Sequence, residues 1–135
     1  MGWNDQIIEE FRNNGGQVGG AFADRMVLLM TTTGAKSGMA RIAPLVYVAD
    51  GDRYLIAASK GGADTHPDWL HNLKANPGVS VEVGAKKVDA DAEIFESGPE
   101  RDRLYAKLAT RYSFFTEYES KTERIIPVVA LQPTA

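Results

Sequence analysis

From Thr31 to Gly62 the chain reads TTTGAKSGMARIAPLVYVADGDRYLIAASKGG, and this run constrains the fold more than any other. An Asp-Gly pair between two alternating apolar stretches is a hairpin signature, because glycine supplies the positive φ that a tight turn demands. With Asp50-Gly51 as the turn, Ala49 faces Asp52, Tyr47 faces Tyr54, Leu45 faces Ile56 and Ala43 faces Ala58. Arg41 then falls opposite Lys60. Like charges directly across a ladder repel, so the pattern predicts an anion held between them. Lys36 and Ser37, in the Gly34–Gly38 turn, join them at the same end.

A chain of 135 residues supports one domain around one core. The net charge of -3 gives no global field for nucleic acid, so basic residues matter only where they are focused. Cysteine is absent, which excludes disulfides and thiolate catalysis, and two histidines are too few for a histidine-rich metal site. No metal is expected. No apolar run approaches the ~20 residues of a membrane helix, and a cytoplasmic location is expected.

Helical spacing of Ile7, Ile8 and Phe11 predicts a helix over Asn4–Asn14, stopped by Gly15-Gly16. With Trp3 ahead, that helix could touch a lipid surface. Glu9 and Glu10 give it an acidic face, which favours packing on the domain. Residues 1–20 are read as this helix and a linker that runs through Gly19, Gly20 and Ala21, and residues 21–135 as the main domain.

Strands are predicted over Val27–Thr33, Ala40–Ala49, Arg53–Lys60, Val79–Val83, Val88–Ile94 and Ile125–Leu131. Pro44 lacks a ladder donor and marks an edge or an interruption. Helices are predicted after His66-Pro67-Asp68 and after Ser97-Gly98-Pro99-Glu100. About six strands joined mostly by hairpins, with three or four short helices, indicate an antiparallel barrel with helices at its ends.

Several residues carry both a chemical and a structural reading. The Lys-Ser pair precedes Gly38 and leads into a strand, so GAKSG is not a Walker loop; it is either an anion-binding nest or an exposed hairpin tip. Ala43, Ala57, Ala58 and Ser59 leave space for a flat ring or for a packed helix. Trp69 and Asn72 share a helix face, as a ligand wall with an amide or as core; His71 points elsewhere, and His66 is an entry residue to that helix. Tyr112, Phe114, Phe115 and Tyr118 either line an apolar pocket or fill the core. No base-and-nucleophile pairing is apparent.

Taken in order, TTTGAKSG, R-x-x-P-L at Arg41–Leu45, ASKGG at Ala58–Gly62, HPDWLHNLKANP at His66–Pro77 and RIIPVVAL closely resemble the deazaflavin-dependent nitroreductase family of actinobacteria. The resemblance covers nearly the whole chain. It implies an FMN-binding-like split β-barrel, α+β in content, with reduced coenzyme F420 as hydride donor to quinones, enones or nitroaromatics. The lactyl phosphate and oligoglutamate tail would meet Lys36, Ser37, Arg41 and Lys60. Pro44, Ala58, Ser59, Gly61, Gly62, Trp69 and Asn72 align with positions that hold or flank the deazaflavin. Val46, Tyr112, Phe115 and Tyr118 fall where relatives line the substrate, and Ser59, Tyr112 or Tyr118 would supply the proton. Val46 and Phe115 replace tyrosines of the nitroimidazole-activating members. Other readings are a non-catalytic carrier of a flavin-like or tetrapyrrole ligand, and an FMN-dependent reductase. A monomer or a homodimer fits either.

Overall fold

Val46 and Val48 are one residue apart in the chain, yet they belong to opposite edges of one sheet. The computed structural model describes residues 3–19 and 25–134, apart from the Trp3 side chain. Its strands are β1 (Val27–Thr33), β2 (Ala40–Val46), β3 (Val48–Asp50), β4 (Arg53–Ala57), β5 (Gly78–Val83), β6 (Lys86–Phe95) and β7 (Val128–Pro133). They form a single antiparallel sheet in the order β2-β1-β5-β6-β7-β4-β3. Tyr47 alone joins the two edge strands, so the sheet must curl until its edges meet along a seam. The result is the expected split antiparallel barrel. The Tyr47 N–H donates to the Met26 carbonyl at 3.0 Å, anchoring the crossing point to the start of β1.

Four helices, α1 (Trp3–Asn13), α2 (Asp68–Ala75), α3 (Pro99–Arg111) and α4 (Phe114–Ser120), cover the sheet. Their placement explains why β1 and β7 read as unbroken apolar runs: both faces of each strand are covered. Leu28 and Met30 of β1 point into the barrel beside Leu70 and Leu73 of α2, while Val27 and Leu29 receive Ile7 and Phe11 of α1. In β7, Val129 and Leu131 point inward while Val128 and Ala130 meet Leu104, Leu108 and Phe115. A bidentate Arg12–Glu82 pair at 3.0 and 2.9 Å also ties α1 to β5. Just past that helix, Gly16 lies so near Gly84 that a β-carbon there would sit 2.5 Å from the Gly84 Cα. Helix α1 thus packs on the barrel as its acidic face suggested; Gly20 and Ala21 of the expected linker lie outside the described residues.

Five expectations are corrected. The Asp-Gly hairpin pairs Asp50 with Arg53, so the turn is Gly51-Asp52. This puts glycine, at φ 62, in the first central position, where a II′ turn wants it, and places Arg53 where it can pair with the Asp50 carboxylate. The Ala40–Ala49 strand breaks at Tyr47, giving seven strands, and β2 pairs with β1 rather than β4. Arg41 therefore faces Thr32, and the predicted like-charge pair with Lys60 does not form. Strand β4 ends at Ala57, followed by a 3-10 turn over Lys60–Gly62. The last strand starts three residues late, because the Ile126 carbonyl is taken by Arg101 and the Pro127 carbonyl by the Ala58 N–H.

Lys107 of α3 and Arg53 hold the Asp50 carboxyl at about 2, against an ordinary value of 3.8. A carboxylate depressed by folding stabilises above its unfolded value and loses that contribution as pH falls through the folded one. The thermal midpoint of wild type should therefore exceed that of Asp50→Asn at neutral pH. The gap should close between about pH 4 and about pH 2; parallel curves through that window would contradict the pairing.

Candidate active site

Two clefts adjoin along β2. The first, about 920 Å³, lies between the β1–β2 hairpin and α2 and is lined by Thr32, Gly34–Ser37, Arg41, Ile42, Ala43, Asp68, Trp69, His71 and Asn72, with Asn4 at its edge. The second, about 360 Å³, occupies the seam. Pro44, Leu45 and Val46 line one side; Ala57, Ser59, Gly61 and Arg25 line the other, and Phe114, Phe115 and Tyr118 of α4 close it. Ala43 and Pro44 are consecutive, so a single strand leads from the polar cleft into the apolar one.

Asn72 builds the first cleft. Its Oδ1 accepts the Ala35 N–H at 2.9 Å, and its Nδ2 donates to Thr32 Oγ1 at 3.3 Å, bolting the hairpin to α2. Ser37 Oγ accepts the Met39 N–H at 3.1 Å, and the Gly38 N–H closes the turn on the Gly34 carbonyl at 3.0 Å. A β-carbon at Gly34 would sit 2.5 Å from Ser37 Oγ, so a side chain there would turn that hydroxyl away from the Met39 N–H. The N–H groups of Lys36 and Ser37 have no acceptor among the described residues. Lys36 and Arg41 both line this cleft, and neither has an ion pair among the described residues. Cations and free amides around one cavity form an anion cradle.

Helix α4 sets the second cleft. Arg101 of α3, buried to 6 % exposure, donates to the Ile126 carbonyl at 2.9 Å and to Glu119 of α4 at 3.0 Å. Tyr105 donates its hydroxyl to the Phe115 carbonyl at 2.6 Å, and burial pushes its phenol up to about 12. The aromatic wall is therefore anchored from α3 through backbone and side chain together. Its rings also lock on each other, with Phe114 to Phe115 centroids 4.6 Å apart and Phe115 edge-on to Tyr118 at 5.9 Å.

The predicted site residues fall into three groups. Lys36, Ser37, Arg41, Trp69 and Asn72 meet in the first cleft, and Pro44, Val46, Ser59, Gly61, Phe115 and Tyr118 in the second. Ala58, Lys60, Gly62 and Tyr112 line neither. Ala58 is fully buried, and Gly62 packs under the Tyr118 carbonyl. Lys60 sits on the left-handed turn with its Nζ on Thr65 Oγ1 at 3.1 Å. Tyr112 is buried, and its oxygen accepts the Met26 N–H at 2.8 Å. His71, read as pointing elsewhere, borders the first cleft, its ring 6.2 Å from that of His66. The open backbone N–H groups of the hairpin agree with the nest reading of the Gly34–Gly38 turn, whereas the role of Arg124 behind the Ser59 segment carried no signal beyond a charge ahead of an apolar run. Among the described residues no group of three or more potential metal ligands occurs.

A split barrel with a cationic cleft opening into an apolar, aromatic-walled seam has the layout of an oxidoreductase that seats a ring cofactor with an anionic tail. The chain belongs to the F420H(2)-dependent quinone reductase family, whose sequence model matches residues 3–133. It is 47% identical over 109 residues to the F420H(2)-dependent quinone reductase Rv1261c of Mycobacterium tuberculosis, covering 77% of this chain and 71% of that one. The solved F420-H2 dependent reductase FDR-A superposes with a TM-score of 0.72 at 43% identity, over 78% of this chain and 93% of that chain. A structure described as a domain-swapped dimer gives 0.73 at 35% identity over 95% of each chain. Reduced coenzyme F420 is the family's cofactor, and the unpaired cations beside an apolar seam fit a polyanionic tail joined to a flat ring.

Two outcomes follow from the partners found. Replacing both Lys36 and Arg41 with alanine removes no side-chain hydrogen bond or ion pair found among the described residues, so unfolding free energy should stay within about 0.5 kcal/mol of wild type or rise; a larger loss in urea titration would make those charges structural. Tyr112→Phe strands the Met26 N–H, and should cost roughly 1–3 kcal/mol of stability while leaving turnover in place.

Proposed function

We propose that this chain binds reduced coenzyme F420 across the two clefts and passes its hydride to a quinone, an activated enone or a nitroaromatic compound in the seam. The observation that carries this reading is the pair Lys36 and Arg41, without carboxylate partners among the described residues, on a cleft that leads along β2 into an apolar one. Lys36, Ser37 and Arg41 take the phosphate and glutamate tail. Trp69, Pro44 and Gly61 flank the ring. The coenzyme supplies the hydride from its own ring carbon, so the protein provides orientation and a dry surface and no nucleophile.

Phe114, Phe115 and Tyr118 exclude water from the seam and give a flat acceptor an aromatic face to lie against. Ser59 and Tyr118 are the proton donors in this reading: both line the seam, and neither hydroxyl has a partner among the described residues. An O–H aimed at the acceptor stabilises the oxyanion that develops as hydride arrives, and then delivers the proton. Tyr112 leaves this role, since it is buried and does not line the seam. Two cations, Lys36 and Arg41, on one cleft of about 920 Å³ support a tail of several charges over the single phosphate of FMN. One relative is described as a domain-swapped dimer, and a homodimer of this chain is the state to seek by light scattering.

Titration with coenzyme F420 and with FMN, followed by oxidation of the reduced coenzyme with menadione, tests the reading. Coenzyme F420 should bind in preference to FMN and turn over. Lys36→Ala with Arg41→Ala should weaken coenzyme binding about tenfold or more, the scale of losing charge-assisted contacts. Tyr118→Phe and Ser59→Ala should lower turnover with coenzyme affinity retained. Binding without turnover across quinones, enones and nitroarenes would make the protein a carrier.

A further inference from the structure

Arg124, in the loop before β7, donates to three backbone carbonyls of the segment that follows β4. Its Nε reaches the Ala63 oxygen at 2.8 Å, and its Nη2 reaches those of Ala58 at 3.2 Å and Ser59 at 3.0 Å. Its Nη1 meets His66 Nδ1 at 3.0 Å. Beside it, Thr122 Oγ1 donates to the Asp64 carboxylate at 2.9 Å, a second tie between the same two loops.

That segment needs an outside hold. Lys60, Gly61 and Gly62 have φ of 48, 66 and 86°, three consecutive residues in the left-handed region. Lys60 is the only non-glycine residue there among those described, and a side chain in that region is unfavourable. The planar trans peptide then transmits the hold, because its C=O and N–H point in opposite directions. Drawing the Ala58 and Ser59 carbonyls onto Arg124 turns the N–H groups of Ser59 and Lys60 away from it, and neither has an acceptor among the described residues. Arg124 borders one surface of this segment, with Asp64 and Thr122, while Ser59 and Gly61 face the seam.

The geometry points to Arg124 as a positioning residue that sets the Ala58–Ala63 backbone for coenzyme binding, with His66 as the acceptor that makes its grip sensitive to pH; the inference rests on the coenzyme F420 reading above. A guanidinium only donates, so His66 Nδ1 must accept and the ring proton sits on Nε2. Protonation of His66 would set donor against donor and cation against cation. The groups that face His66 are Arg124, Lys74 and His71 of α2, and Glu96 beyond β6. Burial first, then Arg124, Lys74 and His71, lower its pKa, with Glu96 opposing. Neutral His66 thus persists below the ordinary value, and the stability it lends is lost as pH falls from that value through the lowered one.

Hydrogen exchange by mass spectrometry on the coenzyme-free chain, together with coenzyme F420 titration, tests the inference on Arg124→Met, Arg124→Lys and His66→Gln. Arg124→Met should speed exchange at Gly62 and Ala63, whose N–H groups bond the Ser59 and Lys60 carbonyls, while leaving α1 and β1 unchanged, and should weaken coenzyme binding about tenfold or more. Arg124→Lys, a point charge without the fork, should restore part of both. Glutamine at position 66 keeps an acceptor that does not titrate, so the loosening of wild type between about pH 7 and about pH 5 should vanish in His66→Gln. Wild-type exchange and affinity in Arg124→Met, or an unchanged pH response in His66→Gln, overturns the inference. If Arg124→Met fails to fold, the wild-type and His66→Gln pH series decides alone. Should wild type not bind coenzyme F420, the functional reading falls, and exchange at Gly62 and Ala63 still decides whether Arg124 holds the loop.

Discussion

One residue must serve both edges of the sheet. Tyr47 carries the chain from β2, paired with β1, to β3, paired with β4, and its N–H is held by the carbonyl just ahead of β1. Ordinary antiparallel sheets leave their edges apart and exposed, with unpaired donors and acceptors that invite other strands. Here the connection forces the edges together without letting them zip. Pro44, in the middle of β2, has no N–H to offer across the gap. What remains is a slot bounded by one edge strand, the end of β4 and the aromatic face of α4. The site is a consequence of incomplete closure, and its width follows from how the two edges and α4 are held.

The walls of the two clefts are fastened by polar groups that bond protein partners. Asn72 ties the hairpin to α2, Tyr105 and Arg101 tie α4 to α3 and to the entry of β7, and Arg124 holds the turn after β4. Without an ion-pair or hydrogen-bond partner among the described residues are groups that line the clefts: the cations Lys36 and Arg41 and the hydroxyls of Ser59 and Tyr118. This division suits a cofactor enzyme, where the protein's task is alignment and dryness and the reactive carbon belongs to the guest. Buried polar partners that are fully satisfied give rigidity, while unpaired exposed charges retain their full pull on a polyanion.

Much of this was legible in the residues. Alternation in Val79–Val83 and Val88–Ile94, the proline-led helix starts and the glycine turns gave strands and helices close to their final bounds and an antiparallel barrel, its split form being what the family resemblance implied. The cations at the Gly34–Gly38 turn and the aromatics of α4 do line clefts. What stayed hidden was non-local. Nothing in Ala40–Ala49 says that a uniform strand should change partners at Tyr47, since that depends on where β1 ends. The hairpin register slipped by one residue because the Asp50 pairing with Arg53 and Lys107 outweighs the local preference for Asp50-Gly51 at the turn centre. Tyr112 and Tyr118 look alike in sequence, yet helix phase and the start of β1 bury one and leave the other in the seam.

The approach of Gly16 to Gly84 has a mechanical corollary. Main chain meets main chain there, so no side chain sets the spacing and no substitution can retune it gradually. A side chain at position 16 would have to wedge α1 and the β5–β6 turn apart, straining the Arg12–Glu82 fork that joins the same two elements.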